Sequence, residues 1–377
     1  MATSAKLRLR NLWFSFHKWI GILLAVLIVP ISISGAALVW HDWLDETLNP
    51  GRYAVTSSEA RLTPSQYAEA ATPVLKPGER VSVIRYPEQG EGPVVVTAMA
   101  PTREGAARGG PPVRTQVWLD PATGKILDSA PSNAGAVRFL HVLHGSLMVP
   151  GMGRQIVGWV GVFMLISSLT GIWLWWPVSG SVKKGFKWNR QPRFSANLHH
   201  QTGFWIAIPL AMLSFTGMWI SFPGFFGPLS GAPAQKGGRP TPSAPLAAPA
   251  MTPEAVVQAA SAHATGAILT LTWPTEKTPD WKVAYEREGS PAEVEIADAG
   301  GEVTPPKPPR PETIARTMRR WHDGTGMGVV WQVVIFLGGI IPAILGVTGI
   351  MMWLNTRTWR GDLARRKKAK LAAAPAE

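Results

Sequence analysis

Four histidines stand at the borders of long apolar segments and are related in pairs by fixed shifts along the chain. A shift of 178 residues places His144 on His322, and a shift of 182 residues places His17 on His199. Neutral imidazoles on opposite faces of a porphyrin are the ligands of a bis-histidine haem. The repeated pairs therefore predict two such sites, with His17 and His199 at one border and His144 and His322 at the other.

Glycines repeat with the histidines. The shift of 182 also places Gly21 on Gly203 and Gly35 on Gly217. Gly35 follows His17 by five turns at about 3.6 residues per turn, so both lie on one helix face, and Gly21 lies close to that face. A histidine beside a bare glycine leaves room for a flat, wide group. Gly21 and Gly203 are therefore secondary cofactor-binding candidates.

The remaining histidines carry weaker predictions. His141 is one turn before His144 and His41 ends the first apolar segment, so either one remains open as a replacement for His144. His200 follows His199 directly and is a candidate partner for a haem propionate or for water. His263 is expected at the surface of a polar domain. The sequence identifies no catalytic residue. A zinc or di-iron site is disfavoured because the apolar segments hold no carboxylate at ligand spacing.

Composition favours a membrane protein. Only 16% of the residues are charged, yet the formal net charge is +13, and the basic residues stand in blocks beside apolar runs. This pattern indicates membrane topology rather than nucleic-acid binding. The chain has no cysteine, so a haem attached through thioether bonds is excluded and any haem is held without covalent bonds.

Four apolar segments are long enough to cross a bilayer. The expected order is a cytoplasmic head, span one, a polar domain, an interfacial helix with span two, a basic loop, span three, a Pro/Ala/Gly-rich linker, a second polar domain, an interfacial helix with span four, and a basic tail. In that order, the boundaries are 1–12, 13–41, 42–136, 137–177, 178–197, 198–222, 223–250, 251–310, 311–354 and 355–377. A cleaved signal peptide is the alternative for span one, but its apolar run exceeds the usual 7–15 residues.

Charge asymmetry orients these spans. The head, the 178–197 loop and the tail hold three, five and seven Lys or Arg residues, and the head and the loop hold no acid. The positive-inside rule places all three in the cytoplasm and both polar domains on the opposite side. The predicted fold is an all-α four-helix transmembrane bundle with two small α+β domains outside the cytoplasm, arising from an internal duplication of span, outer domain and span.

Each polar domain combines one capped helix with several short strands. "LTPSQYAEAATPVL" and "TPEAVVQAASAHA" both place a Thr cap before a Pro at the first helical turn. Strands are predicted for "RVSVIRY", "PVVVTAM", "TQVWLD" and "ILDS" in the first domain, and for "AILTLTW", "WKVAYERE" and "AEVEIADAGGEV" in the second. A Gly/Arg-rich loop at 102–112 separates two strands of the first domain.

The ordered motifs resemble a known family, the PepSY-associated transmembrane helix proteins, also called iron-regulated or iron-uptake membrane proteins. The matching pieces are "FHKWIGI", "LHGSLMVPGMGRQIVG", "NLHHQTGFW" and "WHDGTGMG" at the four spans, with "DPATGKIL" as the end of a PepSY domain. The second domain departs from this pattern with "DAGGEV". The resemblance covers about residues 12–356.

The resemblance implies an inner-membrane protein of Gram-negative bacteria with periplasmic domains. It implies a ferric-siderophore reductase carrying two non-covalent b-type haems on His17, His199, His144 and His322, with an unknown cytoplasmic electron donor. Outer-face arginines are candidates to attract an anionic ferric chelate, namely Arg85, Arg114, Arg316, Arg319 and Arg320. The alternatives are a regulatory, protease-inhibitory or sensory PepSY protein without redox chemistry, and a transporter-like component, which the lack of buried charge pairs disfavours.

Overall fold

The computed structural model describes residues 5–88, 91–101, 113–177, 181–230, 243–288, 290–309 and 312–372. The predicted loop at 102–112 and residues 231–242 of the predicted linker lie outside this part of the chain. Two compact units are present. The first combines residues 1–41, 139–234 and 313–377, and the second combines residues 42–138 and 235–312.

Four long apolar helices form the first unit, which confirms the four predicted membrane spans. They are α1 (Ala5–Leu38), α5 (Gly153–Trp175), α6 (Phe194–Ser221) and α10 (Gly328–Ala372). Three short helices complete the unit, α4 (Ala136–Ser146), α7 (Pro223–Phe226) and α9 (Ile314–Asp323), and α4 and α9 occupy the two predicted interfacial positions.

Two helices differ from prediction in where they begin or end. α1 begins well before residue 13 and ends at Leu38, and α10 continues far beyond residue 354 into the basic tail. Lys, Arg, Leu and Ala are good helix formers, so a helix crosses the border between apolar and basic sequence without a break. His41, expected at the end of span one, instead begins the separate helix α2 (His41–Leu48).

The bundle packs through small residues. α1 and α6 each contact both α5 and α10. A Cβ added at Gly339 of α10 would lie 2.7 Å from the Cβ of Ala36 on α1, and one added at Gly161 of α5 would lie 3.1 Å from the carbonyl oxygen of Ser214 on α6. Such close backbone approach is typical of membrane helices, where dispersion replaces the hydrophobic effect between helices.

The second unit is built on one antiparallel sheet. Its strands are β1 (Arg80–Arg85), β2 (Val94–Met99), β3 (Thr115–Leu119), β4 (Ile126–Pro131), β5 (Ile268–Thr272), β6 (Asp280–Tyr285), β7 (Ala292–Ala297) and β8 (Val303–Thr304). The order is β4-β3-β2-β1-β5-β6-β7-β8. Helices α3 (Pro64–Ala71) and α8 (Pro253–Ser261) begin at the predicted caps, because the Thr63 and Thr252 hydroxyls accept hydrogen bonds from the backbone of the first turn.

The two predicted α+β domains share one sheet. β1 pairs with β5, with Ile84 opposite Leu271, so the two halves share one continuous sheet. Each half has its own hydrophobic core, one around Tyr67 and one around Trp281. Pairing the first strand of each half removes two exposed sheet edges at once.

Buried carboxylates tie the loops of each half to its sheet. Asp120 accepts hydrogen bonds from the backbone N–H and hydroxyl of Thr56 and from the Thr123 hydroxyl. Asp298, 178 residues later, accepts from the backbone N–H groups of Ala250 and Met251 and from Trp281 Nε1. Burial alone would raise the pKa of both carboxyls, but these donors outweigh it and the pKa of each is lowered.

Asp120→Asn is expected to destabilise the sheet unit by about 1–3 kcal/mol at neutral pH, because three donors lose a charged acceptor. Hydrogen exchange of the β3–β4 peptides in the full-length protein measures this change. The carboxylate stabilises the fold above its unfolded pKa of about 3.9, and that contribution is lost as the pH falls through the lower folded pKa. The variant should therefore lose less stability than the wild type below about pH 4. Glu59→Gln, which breaks an exposed ion pair with Arg61, is the control and should leave exchange unchanged.

Candidate functional site

Two histidine pairs form inside the first unit, as the repeat predicts. The ring centroids of His17 and His199 are 6.4 Å apart with the planes at 86°. Those of His144 and His322 are 5.9 Å apart with the planes at 39°. Stacked rings in the same bundle lie closer, at 3.9 Å for Trp175 and Phe204. The imidazoles of each pair thus lie close together without stacking.

Each of the four rings lies against a glycine of a neighbouring helix. A Cβ added at Gly35 would lie 2.6 Å from Cε1 of His144, and one added at Gly217 would lie 3.1 Å from Cε1 of His322. On the other two helices, an added Cβ would approach Cε1 to within 3.4 Å for Gly171 and His17, and to within 3.6 Å for Gly349 and His199. The four contacts obey the two sequence shifts, since Gly35 repeats as Gly217 and Gly171 as Gly349.

Hydrogen bonds to Nδ1 orient the rings. His144 Nδ1 lies 2.8 Å from the carbonyl oxygen of Ile31, and His17 Nδ1 lies 3.1 Å from that of Ser167. A carbonyl only accepts, so Nδ1 of both rings is the donor. The Nδ1–H tautomer leaves the lone pair of each ring on Nε2.

Threonine hydroxyls serve the same purpose for the other two rings. His199 Nδ1 lies 3.0 Å from Thr348 Oγ1, and His322 Nδ1 lies 3.1 Å from Thr216 Oγ1. Each hydroxyl donates its own proton to a backbone carbonyl one turn earlier, on Ile344 and Met212 respectively. The hydroxyl oxygens therefore accept from Nδ1–H. All four histidines then present Nε2 as the unprotonated nitrogen, which is how second-shell bonds prepare a histidine to ligate a metal.

The charge state agrees with this assignment for the two rings outside the spans. Enclosure, together with the neighbouring His144, lowers the pKa of His322 to about 4. Enclosure also lowers the pKa of His144, against the hydrogen bond to Ile31 that raises it. Both imidazoles are thus neutral near pH 7, and only a neutral imidazole ligates a metal.

The chain matches a known family over most of its length. The profile of the PepSY-associated TM region matches residues 14–356. The chain belongs to this family. No curated protein matches the sequence. The match begins three residues before His17 and ends beyond Gly349, so the PepSY-associated TM region includes both histidine pairs and all four glycine contacts.

The secondary cofactor-binding candidates lie outside the two histidine pairs. Among the described residues, none lies within 4 Å of a Cβ built on Gly21, and a Cβ built on Gly203 would lie 3.7 Å from Leu345 Cδ2. His200 Nε2 lies 3.4 Å from Gln191 Nε2. His41 and His141 do not join the His144–His322 pair and instead form an exposed third pair with ring centroids 6.1 Å apart. His263 follows α8 in the sheet unit and is exposed.

Sequence reasoning missed the glycines and threonines that hold the rings. The structure places the ring of His17 against Thr170-Gly171 and that of His199 against Thr348-Gly349. Gly35 belongs to the site of His144 rather than to that of His17, although both glycines of that face were identified. The available signal was the repeat itself, because the shift of 182 pairs Gly35 with Gly217 and the shift of 178 pairs Thr170-Gly171 with Thr348-Gly349.

Gly35→Ala tests whether the contact between Gly35 and the His144 ring requires a glycine. Glycine to alanine in a helix ordinarily stabilises by about 0.5–1 kcal/mol, but here the added methyl group would overlap the His144 ring. We expect a destabilisation of about 1–3 kcal/mol instead, measured by thermal unfolding in detergent. Gly145→Ala is the matched control, since nothing lies within 4 Å of its added Cβ. Equal melting temperatures for the two variants would contradict a close contact between Gly35 and the His144 ring.

Proposed function

We propose that the protein is a b-type di-haem membrane oxidoreductase that moves electrons across the inner membrane and reduces ferric chelates such as ferric siderophores in the periplasm. One haem would be held by His17 and His199 and the other by His144 and His322. Haem bound in this way supplies a one-electron Fe(III)/Fe(II) couple. The proposal keeps the sequence-based topology, with both termini and the electron donor in the cytoplasm.

The observation that carries the proposal is the shared state of the four histidines. Each has Nδ1 bound to a neighbouring helix and Nε2 left as the basic nitrogen, and the rings are paired at 5.9 and 6.4 Å. Two Nε2–metal bonds of about 2.0–2.1 Å plus two ring radii of about 1.1 Å span a similar distance, so one metal fits between the rings of each pair. A helix-packing role needs neither the pairing nor a common tautomer.

Two ligands suit a metal that brings its own equatorial nitrogens. No group of three or more His, Cys, Asp or Glu side chains converges within the described residues. Structural zinc and carboxylate-bridged iron need three or four protein ligands. A porphyrin iron needs only the two axial ones.

The two pairs are separated along the bundle. His17 and Gly35 lie on the same helix, and Gly35 contacts the ring of His144. The two residues are 18 positions apart, which corresponds to about 27 Å. Residues of α1 and α6 thus contribute to both pairs, and a straight path between the pairs runs within the apolar interior. This arrangement favours electron transfer between two membrane faces over storage of a single cofactor.

A basic cavity next to His322 supports an anionic substrate. Its volume is about 190 Å³, and Arg154, Arg319, Trp219 and Phe226 line it. Arg319 is three residues before His322, one helical turn away, and its charge contributes to lowering the pKa of that histidine. Guanidinium groups bind carboxylates, hydroxamates and catecholates through charge-assisted hydrogen bonds, and aromatic faces contact the planar parts of such ligands.

Visible spectroscopy of the detergent-purified protein tests the cofactor. We expect a Soret band and, after dithionite, a sharpened α band from about two haems per chain. His17→Ala and His144→Ala should each remove about half of the haem, because each breaks one pair and leaves the other intact.

His263→Ala is the control for these variants, since the residue lies in the sheet unit, and it should retain full haem content. A wild-type protein without a Soret band would contradict the proposal and favour a regulatory PepSY protein without redox chemistry. Equal loss of both haems from either single variant would contradict the two-site assignment.

Arg319→Gln tests the substrate. Loss of one guanidinium should raise the KM for an anionic ferric chelate by about three- to tenfold and leave kcat and the haem spectrum unchanged, as expected for uniform binding. Arg316→Gln is the matched control, because Arg316 is on the same helix but does not line the cavity. Equal effects of the two variants would indicate a general charge effect and contradict a chelate in this cavity.

A further inference from the structure

A third histidine pair lies outside the two sites described above. His41 is the first residue of α2 and His141 lies within α4, and both belong to the first unit. Their ring centroids are 6.1 Å apart with the planes at 61°. Both side chains are exposed, whereas the four histidines of the other pairs are partly buried.

We infer that His41 and His141 together bind a divalent first-row transition-metal ion at the aqueous end of the bundle. The ring separation is similar to that of the other pairs, so one nitrogen from each ring can reach a single ion at about 2.0–2.1 Å. Imidazole is a preferred ligand for iron, nickel, copper and zinc ions. The two residues come from different helices, and a metal ion is the simplest common partner that two imidazoles at this distance can share.

Exposure decides between a bare ion and a third haem. A haem needs an apolar enclosure over most of its surface, and the two rings here face solvent. No third protein ligand converges on the pair among the described residues, so water completes the coordination. Sites with few protein ligands and several waters keep open positions and exchange their metal, unlike closed structural sites.

The position of the pair suggests the identity of the ion. His141 is three residues before His144 on α4, and residues at this spacing are neighbours on one helix face, with Cβ atoms about 5–6 Å apart. The ion would therefore lie beside the pair that we assign to the periplasmic haem. Its assignment as iron, received as a ferrous product after the chelate is reduced, rests on the proposed function. Metal binding itself does not.

Isothermal titration with Ni²⁺ and with Zn²⁺ tests the site on full-length protein freed of any polyhistidine tag. The wild type should bind one ion, and His41→Ala and His141→Ala should each weaken binding by about tenfold or more. His263→Ala is the control and should bind the metal ion as the wild type does. The double variant His41→Ala/His141→Ala should weaken binding by less than the product of the two single effects if both imidazoles share one ion.

Electron paramagnetic resonance with one equivalent of Cu²⁺ provides a second readout, in which nitrogen couplings should fall from two nitrogens to one in each single variant. Unchanged affinity in both single variants would overturn the inference. Loss of haem from His41→Ala or His141→Ala would also overturn it, because the pair would then be a haem site. If the protein lacks haem but the metal titration succeeds, the proposed function fails and the metal site stands.

Discussion

The bond from each histidine Nδ1 to the next helix is the contact on which the membrane unit depends. Four such bonds join His17 to α5, His199 to α10, His144 to α1 and His322 to α6. Each bond satisfies a polar group that would otherwise be costly in an apolar surrounding, and each fixes which nitrogen remains basic. A Cβ added at Gly35 would collide with the ring of His144 and one at Gly217 would crowd that of His322, whereas at Gly171 and Gly349 it would lie at ordinary contact distance.

These contacts also fix the helices lengthwise. α1 provides His17 near one end and Gly35 near the other, and α6 provides His199 and Gly217 in the same way. A slide of either helix by one turn would separate a histidine from its acceptor at one end and a glycine from its ring at the other. Membrane helices lack a hydrophobic force that specifies register, so paired polar contacts at both ends supply it. Close contacts at Gly161 and Gly339 then set the distance between helices.

Much of the membrane unit could be predicted from the sequence because the repeat allows one half of the chain to be compared with the other. The shifts identified His144 rather than His141, and His199 rather than His200, as the partners of a pair, and the ring contacts agree with both choices. The contacts of Gly171 and Gly349 with histidine rings could not be predicted. A Thr-Gly step in an apolar helix has the same sequence whether it packs on a helix or on an imidazole. The pairing of His41 with His141 had no signal, because the turn after Leu38 that redirects the chain leaves no trace in the hydrophobic pattern.

The sheet unit shows the opposite limit. The strands and the capped helices were predicted because alternation and Thr-Pro caps are local signals. The joining of β1 to β5 was not predicted, since the choice of an edge partner depends on which edges meet in space. The repeat nevertheless explains why the joining is self-consistent. β1 and β5 are equivalent strands of the two halves, and they pair antiparallel, as strands related by a two-fold axis do. Asp120 and Asp298, related by the shift of 178, then close equivalent turns on opposite sides of that seam. The two halves thus form one sheet because the first strand of each presents an edge, and pairing these strands satisfies both edges at once.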